Sequence, residues 1–293
     1  DLTFSLETSP AATLRPDAGE KLDLLKKYGL TRFSIGIQTF DSETLRDTAR
    51  VTPHSQTGDE EKAVAWLMQS GISEINVDMI QDLPLQSNSF LERLEYDLQK
   101  IAELKPQHVT WYNLRLRPET AYSKQAARFP NEEESLLSRL IIWNYLEKIG
   151  YVAYEGDRFS LNEKKEDRFR RTRGSMETTL IGIGVSAYSH TPNYFFQNTR
   201  TIGSTVRKDS MIATKHYIET MAKNPNAISF GLPLTLEETL AGTFALGLKE
   251  GLGALILGHL PKEYSEKIDK LIRLGLLQIK NSRLEFTRMG RLY

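Results

Sequence analysis

Through the first 120 residues, apolar and β-branched runs of strand length alternate with stretches whose apolar residues recur at helical spacing. Leu2–Leu6, Arg32–Ile37, Ile75–Ile80 and Val109–Leu114 read as strands. Between them, Asp17 to Glu20 opens a helix with a capping-box-like pattern. Leu22, Leu25 and Tyr28 share one side of it, and Gly29 stops it. Val64, Leu67 and Met68 mark the next apolar face, ended by Gly71. Ser89 to Glu92 repeats the capping pattern ahead of Leu91, Leu94, Leu98 and Ile101, and Pro106 ends that helix. Strand-to-strand spacings of roughly 30–45 residues are those of βαβ units and predict a parallel sheet. Four such units do not close an eight-stranded barrel, which leaves the last part of a partial barrel or an open doubly wound sheet. In either, polar residues at the carboxyl ends of strands are the site candidates. Those ends carry Glu7, Gln38 and Asp78, with Tyr112 and Asn113 on the last strand.

The chain then changes character. Asn131 to Glu134 caps a long helix through Leu137, Leu140, Ile141 and Tyr145, stopping at Gly150. A basic stretch follows, with Lys164, Lys165 and Arg168 through Arg173, then the small-residue run Gly182-Ile-Gly184-Val-Ser-Ala187. From Thr235 the tail is largely helical, and Leu276–Ile279, a turn at Asn281 and Ser282, and Leu284–Phe286 form a hairpin. Helices followed by a small hairpin predict a winged-helix-like end. The expected divisions are 1–125, 126–230 and 231–293.

Composition narrows the chemistry. Thirty-eight basic side chains balance 38 acidic ones, which removes the simplest argument for nucleic acid or a membrane surface as partner. No apolar stretch approaches the ~20 residues of a membrane span, and a soluble, cytoplasmic protein is the expectation. The 293 residues include no cysteine, so the chain itself offers no disulfide and no thiolate for zinc or an iron–sulfur cluster. It opens at Asp1, inside a strand-like run, from which a missing front end is expected. Gly182 to Ala187 formally fits a dinucleotide fingerprint, yet Pro192 breaks the helix that motif needs, so close backbone approach is the better reading. His54, His108, His190, His216 and His259 lack the spacing of a zinc motif. Read on their own, the residues give an α/β protein with a polar site at its strand ends.

Several segments, in order, resemble one family. Leu6-Glu7-Thr-Ser-Pro10, Arg32-Phe-Ser-Ile-Gly-Ile-Gln38-Thr-Phe40, Asn76-Val-Asp78-Met-Ile80 and Leu83-Pro84 resemble the radical SAM family of oxygen-independent coproporphyrinogen III oxidase and its relatives. Trp111-Tyr112-Asn113 looks like that family's final barrel strand, Ile181 to Ser189 like its C-terminal return to the active site, and Leu284 to Leu292 like its terminal wing. The resemblance implies the C-terminal part of a partial (βα)6 barrel, from the third strand on, followed by an α+β region with a winged-helix-like end. The three cluster-binding cysteines and the Gly-rich SAM stretch would then lie upstream. It also implies S-adenosylmethionine (SAM) and a [4Fe–4S] cluster as cofactors, a one-electron donor such as flavodoxin or ferredoxin, and a small-molecule substrate.

Carried across residue by residue, Glu7, Gln38, Arg50 and Asp78 match polar SAM contacts, and Tyr188 a contact to adenine or to a second SAM. Asp78 suits ribose hydroxyls or an amino group, and Arg50 a carboxylate. Arg158, Arg168, Arg170 and Arg171 are candidate partners for substrate propionates. The implied reaction is hydrogen abstraction by a 5′-deoxyadenosyl radical, leading to oxidative decarboxylation of a tetrapyrrole propionate. The alternatives are a methyltransferase or cyclopropanase using two SAM molecules, a heme chaperone without catalysis, and an unrelated barrel acting on phosphorylated sugars. Two departures bear on the choice. Asp82 stands where the family usually has Gly, and Arg168 to Gly174 lacks the His-Asn…Tyr-Trp signature of the heme chaperones.

Overall fold

The computed structural model describes residues 3–48, 50, 56–84, 90–116, 121–154, 156–161, 176, 178–198, 206–223, 228–249, 262–281 and 283–292. They fall into two compact units, Asp1–Phe169 with Arg291–Tyr293, and Arg170–Gly290.

The first unit is built on strands β1 (Phe4–Thr8), β2 (Leu30–Gln38), β3 (Glu74–Gln81), β4 (His108–Asn113), β5 (Val152–Ala153) and β6 (Arg158–Ser160), in the order β1-β2-β3-β4-β6-β5. The first four are parallel and β6 runs antiparallel to β4, giving a mixed sheet. Successive residues of a strand face opposite ways. Phe33, Ile35 and Ile37, then Ile75, Val77 and Met79, then Val109 and Trp111, and finally Phe159, are therefore buried on one face. They join Val64 and Leu67 of α4 (Asp59–Gln69), Leu94, Leu98 and Ile101 of α5 (Phe90–Leu104), and Ile142, Trp143 and Leu146 of α6 (Glu132–Lys148) in one core. Trp143 meets Phe159 edge to face at 5.8 Å, and its indole N–H donates to the Gly156 carbonyl at 3.1 Å. Shorter helices α1 (Pro10–Thr13), α2 (Ala18–Lys27) and α3 (Ser42–Asp47) follow β1 and β2.

The four strands and the helices between them match the alternation in the sequence, and the differences have local causes. Asn131 and Glu134 form the expected reciprocal cap on α6. Asp17 does not cap α2, because its carboxylate is taken by Lys21 at 2.7 Å and Arg15 at 3.2 Å. Tyr28 (69% exposed) and Leu91 (42%) fall off the faces expected to be apolar. On α6 the sheet covers Ser138, Ile142, Trp143 and Leu146, while Leu137 and Leu140 are exposed, so the buried stripe is turned by about one residue. Ser89 lies outside the described residues.

The second unit contains an antiparallel sheet, β7 (Tyr188–Thr191), β8 (Tyr194–Asn198) and β9 (Ile228–Pro233), with α7 (Val206–Lys223), α8 (Leu236–Lys249) and α9 (Lys262–Arg273). The expected hairpin is β10 (Leu277–Lys280) with β11 (Arg283–Phe286), and α10 (Arg288–Leu292) ends the chain. Leu277 and Leu284 of the hairpin are buried with Ile268 of α9, against Phe244 and Leu248 of α8. No helix follows Gly182. A Cβ there would sit 2.4 Å from the Tyr188 carbonyl oxygen, and the next element is β7. The Asn198 amide donates to the carbonyls of Gly182 and Gly184, each at 3.0 Å, and stitches the small-residue run down. Close approach is thus the role of Gly182, whereas Gly184 has open space at its Cβ position and serves a backbone with φ of 118°.

Among the described residues no helix is long and apolar enough to cross a membrane.

Candidate functional site

Parallel strands are normally covered on both faces and read as continuous apolar runs. Here they alternate, and the face opposite the core is polar. Register lines its residues up in rows: Ser5, Arg32 and Glu74; Glu7, Ser34, Asn76, His108 and Ser160; Gly36, Asp78, Thr110 and Arg158. Ser34, Asn76, His108, Thr110 and Ser160 are buried.

Asp78 sits in the middle of this face. Its Oδ2 accepts from the Ser34 hydroxyl at 2.9 Å and its Oδ1 from the Asn76 amide at 2.8 Å. The same amide donates to Ser34 Oγ at 2.8 Å, and Asn76 Oδ1 accepts from the Thr110 hydroxyl at 3.0 Å. Burial raises the Asp78 carboxyl above its ordinary range; the Ser34 and Asn76 hydrogen bonds and Arg32 oppose the rise, and Glu7 adds to it. Burial also pushes the Tyr112 phenol up to about 12, helped by Asp78 and opposed by Arg158. Glu7, Arg32, Asp78, Tyr112 and Arg158 therefore share one electrostatic neighbourhood.

Gln38 ends β2 just past a register shift, with φ of 73°, a left-handed backbone rarely adopted outside glycine. A Cβ on Gly36 would lie 2.7 Å from Gln38 Nε2, so the Gln38 amide folds over Gly36, which pairs with Asp78. The turn that aims it is held from behind. Asp97 of α5 accepts from the Phe40 backbone N–H at 2.7 Å and from the Thr39 hydroxyl at 2.9 and 3.1 Å. Asp97 is 3% exposed, and burial pushes its carboxyl up to about 7 against the pull of those donors and of Arg93.

The structure thus brings Glu7, Gln38 and Asp78 onto neighbouring strands. Arg158, on β6, lies on the same polar face, paired in register with Thr110 of β4. Arg50 is exposed just beyond α3, its N–H donating to the Leu45 carbonyl at 2.9 Å. Tyr188 opens β7 in the second unit, its ring stacked 6.3 Å from Phe195. Arg168, Arg170 and Arg171 lie outside the described residues, as do His54 and His259. Arg32, Ser34, Asn76, His108 and Thr110 were absent from the candidates read in the sequence. The signal for them is the polar alternation inside otherwise apolar strands, as in Arg32-Phe-Ser34-Ile-Gly36-Ile.

Asp82 has φ of 61°, a left-handed backbone that favours Gly. Its Oδ2 accepts from the Ser135 hydroxyl at 2.6 Å and the Gln81 amide at 3.0 Å, tying it to α6. Beside it a cleft of about 540 Å³ is walled by Leu114, Leu116, Phe129, Leu136 and Leu292, with Arg139 at one side.

No protein-family model matches the chain. It is 26% identical to the HemW heme chaperone of Bacillus subtilis over 301 aligned positions, covering 99% of this chain and 73% of the relative. With an oxygen-independent coproporphyrinogen III oxidase of Synechocystis it shares 25% identity, covering 92% of this chain and 59% of that protein. The chain is thus similar along most of its length both to such oxidases and to such chaperones. Its fold matches the solved structure of the Escherichia coli coproporphyrinogen III oxidase HemN, described as a radical SAM enzyme. The TM-score is 0.72 at 22% identity, over all of this chain and 68% of that one.

The polar face suits SAM better than the cluster. With one donor already on each oxygen, ionised Asp78 keeps further lone pairs for hydroxyl or ammonium groups, which SAM carries. The chain has no cysteine, and among the described residues no group of three metal-ligating side chains is assembled. These residues do not form a cluster site.

Proposed function

We propose that this chain supplies the SAM-binding wall of a radical SAM enzyme acting on a propionate-bearing tetrapyrrole by oxidative decarboxylation. The observation that carries the reading is Asp78, a carboxylate fed by two donors on a polar sheet face, with Glu7 and Gln38 on the strands beside it. Bound SAM supplies hydrogen-abstracting radical chemistry, and the protein contributes binding and geometry. Asp78 and Glu7 accept from the ribose hydroxyls or the amino group, Gln38 adds an amide over the same face, and Arg50 pairs with the methionyl carboxylate. Tyr188 offers a ring to adenine or to a second SAM. Arg158, together with Arg168, Arg170 and Arg171, would hold the substrate carboxylates. The electron comes from a small donor such as flavodoxin or ferredoxin.

A second reading is a tetrapyrrole-carrying chaperone on the same scaffold, favoured by the Bacillus HemW relative that covers 99% of the chain. One experiment separates them. The complete protein is reconstituted anaerobically with iron and sulfide; one sample is given SAM, reductant and coproporphyrinogen III, and a parallel sample is titrated with heme. Release of 5′-deoxyadenosine and carbon dioxide, lost in Asp78→Ala, supports the enzyme. Stoichiometric heme uptake without carbon dioxide supports the chaperone.

A further inference from the structure

The four-residue chain Thr110–Asn76–Ser34–Asp78 has only one consistent hydrogen-bond direction. Ionised Asp78 is acceptor-only, so Asn76 must present its NH2, not its carbonyl, to Oδ1. Both protons of that NH2 are then used, one on Asp78 and one on Ser34 Oγ. Ser34 must consequently send its own proton to Asp78 Oδ2, and the Thr110 hydroxyl must donate to the amide oxygen left behind. Asn76 is 1% exposed and Thr110 2%, so neither gains these partners from water.

We infer that Ser34, Asn76 and Thr110 are positioning residues that hold Asp78 as a two-point acceptor, so that this face selects a ligand group bearing donors, such as a vicinal diol or an ammonium. Thr110 acts at one remove: it contacts the Asn76 amide and through it sets the carboxylate. The inference rests on Asp78 as a SAM contact. The charged and titratable groups around Asp78 are Glu7 from β1, Arg32 from β2, Tyr112 from β4 and Arg158 from β6. The Ser34 and Asn76 hydrogen bonds oppose the burial that favours protonation.

The test is the affinity of the full-length protein for SAM, by equilibrium dialysis from pH 5 to pH 9, with thermal unfolding of each variant as a check on folding. Asp78→Asn establishes the contact. Ser34→Ala should weaken binding about tenfold at neutral pH, the scale of one charge-assisted hydrogen bond. It should also move the pH at which affinity rises upward, and Ser34→Thr should restore both. Thr110→Val should give a smaller loss, about threefold, in the same direction, restored by Thr110→Ser. A pH profile that moves with the hydroxyls is not expected of a purely structural role. If Asp78→Asn leaves SAM affinity unchanged, the SAM reading falls and the inference with it. If Asp78→Asn weakens binding while Ser34→Ala and Thr110→Val leave affinity and pH profile alone, the positioning role alone is overturned.

Discussion

Removing the Asp97 carboxylate tests whether the turn that carries Gln38 is held from inside the core. Asp97→Ala orphans the Phe40 N–H and the Thr39 hydroxyl, whose residues are 3% and 0% exposed. Each stranded donor costs about 1–3 kcal/mol, so the loss should be about 2–5 kcal/mol. Asp97→Asn keeps an acceptor for Phe40 and should cost about 1 kcal/mol or less at pH 5. The pH dependence separates the two protonation states. Burial lifts the folded carboxyl from 3.8 to about 7, so between these values the folded chain holds a proton that the unfolded chain has released. The group's contribution is complete below about pH 4 and is lost as pH rises through about 7, by at most about 4 kcal/mol. Urea unfolding followed by tryptophan fluorescence suits this test, since Trp66, Trp111 and Trp143 all lie in the first unit. The wild type should lose stability from pH 5 to pH 8 relative to Asp97→Asn. A constant difference between the two would refute the dominance of burial over the three donor contacts.

Other outcomes follow from single positions. Asp82→Ala should destabilise by about 1–2 kcal/mol, since it keeps the φ of 61° and loses the Ser135 and Gln81 anchors, whereas Asp82→Gly should stay within about 1 kcal/mol in urea unfolding. Gly182→Ala forces a Cβ to 2.4 Å from the Tyr188 carbonyl and should lower stability by about 2 kcal/mol or more, read as amide exchange of β7 and β8. Arg50→Ala removes an exposed charge and should weaken SAM binding about tenfold while leaving the unfolding midpoint within about 0.5 kcal/mol of wild type.

The parallel strands were legible because Val, Ile and Phe repeat at period two and Gly71 and Gly150 punctuate the helices. The short strand Arg158–Ser160, which lies between β4 and β5, was not, since three residues carry too little pattern to stand out. Helix phase was legible only to within a residue or so on α6, where tertiary cover decides which of several adjacent apolar residues is buried. At the site, Glu7, Gln38 and Asp78 stood out as polar residues late in apolar strands. Ser34, Asn76 and Thr110 did not, because their importance lies in partners 34 to 44 residues away in sequence. Asp97 was hidden for the same reason: a carboxylate on an amphipathic helix reads as solvated until the β2 turn is seen packed against it.

The most direct measurement is the structure of the complete protein with SAM bound. The result expected is SAM on the polar sheet face, with ribose hydroxyls or the ammonium within hydrogen-bond distance of Asp78 and the Gln38 amide beside them. SAM seated elsewhere, for instance in the cleft walled by Leu116 and Phe129, with Asp78 untouched, would contradict it.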